Sequence, residues 1–259
     1  MPSVARRTLL AVGLGGAAAI ALHGVPAPTL AHGAAQARIG EPAPLFSLAD
    51  SYGKAISLAD FRGKTVVLEW TNHDCPYVRK HYGTNNMQML QKKWTGQGVV
   101  WLTLISSAPG SEGYVTGEEA NKLTAQRAAA PSHVLLDPKG DVGRAYGAQT
   151  TPHMYVIKGD GTLAYMGGID DRPTTRLEDL KTAKNFVDAA LTELAQGKPV
   201  SQTTARPYGC SVKYCGDGNG RAGAGHGAID SPIGGPVGTS PERTLLDLTS
   251  LARPHEVDP

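Results

Sequence analysis

The sequence is poor in cysteine, in net charge and in long apolar runs, and each shortage narrows what the protein can be. Only Cys75, Cys210 and Cys215 occur in 259 residues, too few for a disulfide framework in a chain of this length. The net charge of +2 leaves no basic footprint for nucleic acid and no polybasic membrane patch. The N-terminal apolar run, Leu9–Leu22, has 14 residues, whereas a bilayer span needs about 20. The composition of the whole chain, with 41% hydrophobic and 19% charged residues, is typical of a globular protein.

Residues 1–37 have the composition of a signal peptide. They contain no acidic residue, and Arg6 and Arg7 precede the apolar run, so these two residues account for the whole net charge. Ala35–Ala37 offers a small-x-small cleavage site. The paired arginines and the Gly/Ala-rich run resemble a twin-arginine export signal. We therefore expect a periplasmic or secreted protein with no stable membrane insertion after cleavage; an uncleaved anchor is the alternative.

The rest of the chain changes in composition along its length. Residues 38–200 alternate strand-like and helix-like patterns, whereas residues 216–259 hold 9 Gly and 5 Pro, which is typical of a disordered tail. Residues 201–215 lie between them and carry two of the three cysteines. The order of elements predicts an α/β domain with a central mixed β-sheet flanked by helices. The predicted strands are 65–70, 99–105, 133–136, 154–157 and 162–166, and the predicted helices are 75–94 with a break near its middle, 116–130, 142–146 and 175–194.

Cys75 is the strongest candidate for chemistry. It stands where a buried strand ends and a helix begins, and Pro76 follows it at the first helical position. Backbone N–H groups and the helix dipole stabilise a thiolate there, so we expect the sulfur to accept these N–H groups and to be reactive. The alternative is a small buried hydrophobe, but the polar residues before it, Asn72 to Asp74, favour the reactive interpretation.

Charged neighbours modify this expectation. The carboxylate of Asp74 disfavours a second negative charge beside it. Arg79, one helical turn on, and His73 or His81 are the candidates to offset it.

Several motifs together resemble the thioredoxin-like fold, and more narrowly the redoxin proteins (peroxiredoxin-like, alkyl hydroperoxide reductase/thiol-specific antioxidant). They are the lead-in 39–48 (IGEPAPLFSL), the stretch 70–78 (WTNHDCPYV) and the stretch 146–157 (YGAQTTPHMYVI) before a Gly-Asp-Gly hairpin. A fourth motif, 209–213 (GCSVK), resembles the C-terminal ending of a peroxiredoxin-like subgroup that also carries C-P-Y-V. The resemblance covers roughly residues 38–215.

The resemblance implies an activity and a set of site residues. It implies a cis peptide bond at Pro152, after Thr151, beside the active-site sulfur. It implies a thiol-based oxidoreductase in which Cys75 attacks a peroxide or a protein disulfide and Cys210 resolves the product, with a thiol protein or a small thiol as reductant. A C-terminal cysteine on a Gly-hinged segment can return to the active site, and the reduced structure need not show this contact, because Pro207 and Gly209 can flank a mobile segment that closes only after oxidation. Whether Cys75 pairs with Cys210 or with Cys215 stays open.

Two departures from the related families keep other functions open. Val78 stands where thioredoxins carry the second cysteine of C-x-x-C, which counts against a periplasmic thiol-disulfide oxidoreductase. Peroxiredoxins carry T-x-x-C, and Asn72 stands at that threonine's place, with Thr71 one residue earlier. Thr71 and Asn72 are supporting candidates for a peroxidase site. A redox-inactive or metal-binding module with this fold is the third alternative.

No metal and no cofactor is predicted. His73 and Cys75 with His81 or His153 have loose spacing for a metal site. The Asp170–Asp171 pair is interpreted as a turn and helix-cap feature.

Overall fold

The structure, a computed structural model, describes residues 36–216. The predicted signal peptide up to residue 35 and the predicted tail from residue 217 onward lie outside the described residues. No helix within residues 36–216 is long and apolar enough to cross a membrane. The strands are β1 (Ser47–Ala49), β2 (Ala55–Ser57), β3 (Val66–Trp70), β4 (Val100–Ile105), β5 (His133–Leu136), β6 (Thr150–Thr151), β7 (His153–Ile157), β8 (Leu163–Gly167) and β9 (Cys210–Ser211). The α-helices are α1 (Pro76–Gly83), α2 (Asn86–Thr95), α3 (Gly117–Gln126), α4 (Asp141–Tyr146) and α5 (Phe186–Ala195).

The central sheet has five strands in the order β5-β4-β3-β7-β8. β3, β4 and β5 run parallel, whereas β7 is antiparallel to both β3 and β8. Because the chain returns to β4 through α1 and α2, the parallel β3–β4 pair follows from the β-α-β order. The predicted mixed sheet flanked by helices is confirmed.

Alternation along β3 separates two apolar cores. Val66, Leu68 and Trp70 pack in one core with residues of the lead-in and of α4. Val67 faces the other core, which contains Cys75 and side chains of α1, α2 and α5. Successive strand residues point to opposite faces, so the helix that begins after Cys75 is held on the α2 and α5 side of the sheet.

The predicted break in the first helix is confirmed. α1 ends at Gly83 and α2 begins at Asn86, and Asn85 between them has a φ of 60°. The predicted capping box is also present: the Thr116 hydroxyl accepts from the Glu119 N–H, and the Glu119 carboxylate accepts from the Thr116 N–H. α3 ends at Gln126, earlier than the predicted residue 130.

The single predicted helix over residues 175–194 is wrong. A 3₁₀-helix spans Leu177–Lys181, and α5 starts only at Phe186. The backbone between them is bound elsewhere: the Lys184 N–H donates to Asp171 Oδ1 at 2.9 Å, and Asn185 bridges to Asp170. The Asn185 side chain then caps α5 by accepting from the Asp188 N–H at 2.8 Å.

Candidate active site

Cys75 is fully buried at the N-cap of α1, with Pro76 at the first helical position. Its backbone N–H donates to the Asn72 carbonyl at 3.2 Å, and its carbonyl accepts from the Arg79 N–H at 2.9 Å. The expectation that the sulfur accepts helix N–H groups is wrong for this state, because the cap side chain makes no such bond. Instead the Cys75 thiol donates to the carbonyl oxygen of Thr151 at 3.0 Å. This bond needs the thiol proton, so a Cys75 thiolate could not form it.

Asn72 shapes the loop that delivers Cys75. Its Oδ1 accepts from the Asp74 N–H at 2.8 Å, and its carbonyl holds the Cys75 N–H. The loop is packed closely against Gly113, where an added Cβ would lie 2.3 Å from Asn72 Cγ. Asn72 is therefore a supporting residue for the loop geometry.

The charge of Asp74 is paired. Arg79 Nη2 lies 2.9 Å from Asp74 Oδ1, and His73 Nε2 lies 3.3 Å from Asp74 Oδ2. These are two of the three residues expected to offset the carboxylate. His81 does not join them, because it is buried in a separate polar cluster where burial, and then the charge of Lys80, lower its pKa to about 3.

Thr151 and Pro152 lie beside the sulfur of Cys75. The Thr151–Pro152 peptide bond is cis, as the resemblance implied. β6 pairs antiparallel with β9, which places Thr151 opposite Cys210 and Thr150 opposite Ser211. Neither of these short strands was predicted from the sequence.

Cys210 packs against the core that contains Cys75. Burial, then a hydrogen bond and a charge interaction with Cys75, raise the pKa of the Cys210 thiol to about 12. All three cysteines are free thiols in this structure. Cys215 is exposed, and its carbonyl accepts from Arg144 Nη2 at 2.7 Å. The structure thus brings Cys75, Thr151, Pro152 and Cys210 together.

The segment that carries Cys210 is docked on both sides of the cysteine. Before it, the Met166 N–H donates to the Thr203 carbonyl at 3.0 Å. After it, the Val212 N–H donates to the Gln149 carbonyl at 3.0 Å, and the Ala108 N–H donates to the Lys213 carbonyl at 2.8 Å. Backbone bonds thus already hold this segment on the domain while the cysteines are free thiols, so no closing movement after oxidation is needed to dock it.

Thr71, the first residue after β3, faces a cavity that Cys75 does not line. It is buried, its N–H donates to the Leu104 carbonyl at 3.0 Å, and its hydroxyl has no hydrogen-bond partner among the described residues. It lines a cavity of about 30 Å³ together with residues such as Thr103 and Arg127, and Cys75 is not part of that lining. A direct role of Thr71 at the thiol stays a prediction.

A buried carboxylate in β3, that of Glu69, was not predicted from the sequence. Glu69 in β3 accepts at Oε1 from the Tyr82 hydroxyl at 2.8 Å. At Oε2 it accepts from Trp101 Nε1 at 2.8 Å and from Gln91 Nε2 at 3.1 Å. These bonds tie β3 to α1, α2 and β4. The sequence contains a signal for it, because Glu69 is the only acidic residue in the apolar run TVVLEW. A charged group in a buried strand has to be paired or hydrogen-bonded.

Among residues 36–216, no group of three or more His, Cys, Asp or Glu side chains is placed to hold a metal ion. His73 and His153, two residues of the metal interpretation, make other contacts: His73 pairs with Asp74, and His153 Nδ1 accepts from the Gln149 N–H at 3.2 Å.

The fold and the site together define a thioredoxin-like protein with one cysteine at the start of α1 and a second cysteine on a C-terminal strand. Residues 39–166 match the AhpC/TSA family, and this domain of the chain belongs to that family. The matched part contains Cys75 and Pro152 and ends before Cys210.

Comparison with solved structures gives relatives of low sequence identity. An uncharacterized conserved protein from Geobacillus kaustophilus is 25% identical, with a TM-score of 0.60 over 70% of this chain and 94% of the other. A hypothetical protein from Sinorhizobium meliloti is 24% identical, with a TM-score of 0.58 over 69% and 96%. The thioredoxin domain of a thiol-disulfide oxidoreductase from Bacteroides vulgatus is 21% identical, with a TM-score of 0.40 over 56% and 96%. No curated protein matches the chain.

Proposed function

We propose that this protein is an exported thiol peroxidase of the redoxin type, in which Cys75 is oxidised and Cys210 resolves the product. The observation that carries the proposal is the placement of Cys210 against Cys75 by the β6–β9 ladder. A second thiol held next to a cysteine at a helix N-terminus is the arrangement that captures a sulfenic acid before it is oxidised further.

The reaction balances with these two thiols and one hydroperoxide. The Cys75 thiol gives up the proton it shares with the Thr151 carbonyl, and its thiolate attacks one peroxide oxygen. The O–O bond breaks, the alcohol leaves with a proton, and Cys75 becomes a sulfenic acid, oxidised by two electrons. The Cys210 sulfur then attacks Cys75 Sγ, the S–O bond breaks, water leaves, and a disulfide remains.

The covered strand edge favours a small hydroperoxide over a protein disulfide as substrate. An extended peptide binds a sheet by adding a strand to a free edge. Beside Cys75 that edge is the backbone of Thr150 and Thr151, and the chain's own β9 already pairs with it. A protein substrate would have to displace β9, and with it Cys210, before its disulfide could reach the buried sulfur of Cys75.

Recycling is proposed to begin at Cys210. Cys75 is fully buried, whereas Cys210 is partly exposed, so an external thiol reaches the Cys210 side of the disulfide more readily. Attack there forms a mixed disulfide with the reductant and releases the Cys75 thiolate. A second thiol, from the same dithiol protein or from a second small-thiol molecule, then attacks the mixed disulfide, forms a disulfide with the first reductant thiol and restores Cys210. The reductant is therefore proposed to be a dithiol protein or a small thiol.

Export is part of the proposal and rests on the sequence of residues 1–37. We expect the mature chain to start near Arg38. N-terminal sequencing of the protein recovered from the periplasm or medium tests this, and a recovered chain that still begins before Arg6 would contradict it.

Substrate kinetics test the proposed activity. Wild-type protein, the Cys75→Ser variant and the Cys215→Ser variant are mixed with hydrogen peroxide, with an organic hydroperoxide and with a disulfide-bonded protein substrate, and loss of each oxidant is followed. Wild type and Cys215→Ser should consume the hydroperoxides at equal rates, and Cys75→Ser should not. Faster consumption of the protein disulfide would favour the thiol-disulfide oxidoreductase alternative, and no consumption of any oxidant would favour the redox-inactive module.

A further inference from the structure

A polar cluster, buried except for one half-buried tyrosine, joins the Cys210 segment to the helix that begins after Cys75. It consists of Tyr208, Asp170, Lys80 and His81, and we name it the anchor cluster. Lys80 and His81 lie on α1, Asp170 lies after β8, and Tyr208 lies two residues before Cys210. Lys80, His81 and Asp170 are almost completely buried. The cluster has no part in the reaction steps above.

The Tyr208 hydroxyl is the centre of the anchor cluster. It donates to Asp170 Oδ1 at 2.5 Å, lies 3.3 Å from His81 Nε2, and accepts from Lys80 Nζ at 3.4 Å. Burial raises the pKa of Tyr208 further above its ordinary value, so the group remains a hydroxyl donor. Lys80 also donates to the Arg172 carbonyl at 2.7 Å. One hydroxyl thus connects two residues of α1 with the loop after β8.

The backbone that connects Tyr208 to Cys210 is packed tightly against Thr151. Gly209 between them has a φ of +140°, and an added Cβ would lie 2.0 Å from the Thr151 carbonyl oxygen. That same carbonyl accepts the Cys75 thiol. Fixing Tyr208 therefore fixes the backbone of Cys210 relative to both Thr151 and α1.

We propose that Tyr208 is a positioning residue whose hydroxyl holds Cys210 against Cys75 and so sets the effective concentration of one thiol toward the other. The proposal rests on the proposed function, because it assumes that Cys75 and Cys210 form a disulfide. Buried polar groups lose their partners at high cost, so deleting the hydroxyl loosens the Cys210 segment while leaving the aromatic ring in place. A looser segment forms the Cys75–Cys210 disulfide less favourably, because more conformational entropy is lost when the two sulfurs are brought together.

Equilibration with glutathione measures this effective concentration. One oxidised glutathione and the two protein thiols give the protein disulfide and two reduced glutathiones, so the constant for that exchange reports how closely the thiols are held. The experiment uses chains that also carry Cys215→Ser. Tyr208→Phe should lower the constant by at least threefold. The matched control is Tyr52→Phe, whose side chain is 82% exposed, and it should leave the constant unchanged.

Two further variants separate positioning from general destabilisation. Asp170→Asn keeps an oxygen that accepts from the Tyr208 hydroxyl and should keep the constant within twofold of wild type, whereas Asp170→Ala should lower it like Tyr208→Phe. With Cys210→Ser also present, Tyr208→Phe should leave the alkylation rate of Cys75 unchanged.

The outcomes distinguish the two proposals. A wild-type chain that forms no Cys75–Cys210 disulfide would contradict the proposed function itself. A wild-type chain that forms it, with a Tyr208→Phe constant equal to that of Tyr52→Phe, would overturn only the positioning role. If Tyr208→Phe does not fold, the variants Asp170→Asn and Asp170→Ala test the positioning role instead. An exchange constant lowered as much in Asp170→Asn as in Asp170→Ala would overturn that role.

Discussion

Cys210 lies opposite Thr151 in the antiparallel β6–β9 ladder, and the carbonyl of Thr151 accepts the hydrogen bond of the Cys75 thiol. The two cysteines are therefore placed by one stretch of backbone, although 135 residues separate them in the sequence (210 − 75). Each step proposed above uses this arrangement as it stands, without a large movement of the C-terminal segment.

Close backbone approach at Gly209 should be required for docking of β9. Gly209→Ala places a Cβ against the Thr151 carbonyl at a φ that L-residues rarely adopt. We expect faster alkylation of Cys210 and at least tenfold slower disulfide formation after peroxide treatment, both followed by mass spectrometry. Gly216→Ala is the matched control, since Gly216 also has a positive φ but has open space around its Cβ position. An equal loss in the two variants would show that strain, and not contact with Thr151, is the cause, and wild-type behaviour of Gly209→Ala would contradict the prediction.

The ion pair between Asp74 and Arg79 should tune the nucleophile. In a chain with Cys210→Ser and Cys215→Ser, Asp74→Asn should speed alkylation of Cys75 by about two- to threefold, because a partly screened negative charge is removed. Arg79→Ala should slow it by a similar factor, because the Asp74 carboxylate loses its nearest cation. Arg176→Ala, at an exposed arginine paired with Asp179, should have no effect. Slower alkylation of Asp74→Asn would mean that Asp74 positions the thiol.

Glu69 should make stability depend on pH. Burial raises the pKa of its carboxyl above the ordinary value of 4.5, against hydrogen bonds that lower it. An acid with a raised folded pKa stabilises the fold below its unfolded pKa, and that stability is lost as the pH rises from about 4.5 through the folded pKa. Glu69→Gln removes the charge: its amide oxygen at the place of Oε2 still accepts from Trp101 and Gln91, and its amide N–H donates to the Tyr82 oxygen, which reverses that one bond.

Thermal unfolding between pH 4 and pH 7 measures this effect. The melting temperature of Glu69→Gln relative to wild type should rise across that range, by about 2–4 °C for each kcal/mol of penalty removed. Glu118→Gln, at an exposed residue of α3 paired with Lys122, is the control and should follow wild type. A constant difference between Glu69→Gln and wild type would show that the carboxyl has the same pKa in both states.

The Cys210 thiol should titrate differently when Cys75 is absent. Burial and interaction with Cys75 together raise the pKa of Cys210 to about 12. Cys75→Ala removes the second cause, so the pH midpoint for Cys210 alkylation should fall, while burial still keeps it above 9.0, the ordinary value for a cysteine. Cys215→Ser should not shift that midpoint. An unchanged midpoint in Cys75→Ala would mean that the two thiols do not interact.

Regular elements were predicted from local patterns, and the exceptions have tertiary causes. The β-branched run at β3, the capping box at Thr116 and the break at Asn85 are local features, and each was found as predicted. The helix expected over 175–194 failed because hydrogen bonds to Asp170 and Asp171 hold its middle in a non-helical conformation. Nothing in the local sequence around residue 184 indicates those partners.

The candidate site was predicted in part for the same reason. Cys75 and Pro76 were recognisable because a strand-to-helix junction is local, and Pro152 and Cys210 through the family resemblance. The docking of β9 on β6 and the anchor cluster depend on pairings between residues more than 30 positions apart, such as Thr151 with Cys210 and Asp170 with Tyr208. The sequence offered only indirect signs of them, such as Lys80 and His81 on the same helix as the nucleophile.

Peptide mapping after one equivalent of hydrogen peroxide identifies which cysteines form a disulfide. Reduced wild-type protein is treated, free thiols are blocked, and the cysteine-containing peptides are identified by mass spectrometry. We predict a Cys75–Cys210 disulfide with Cys215 blocked as a free thiol, and accumulation of sulfenic or sulfinic acid at Cys75 when Cys210 is replaced by serine. A Cys210–Cys215 disulfide with Cys75 unmodified would contradict this prediction.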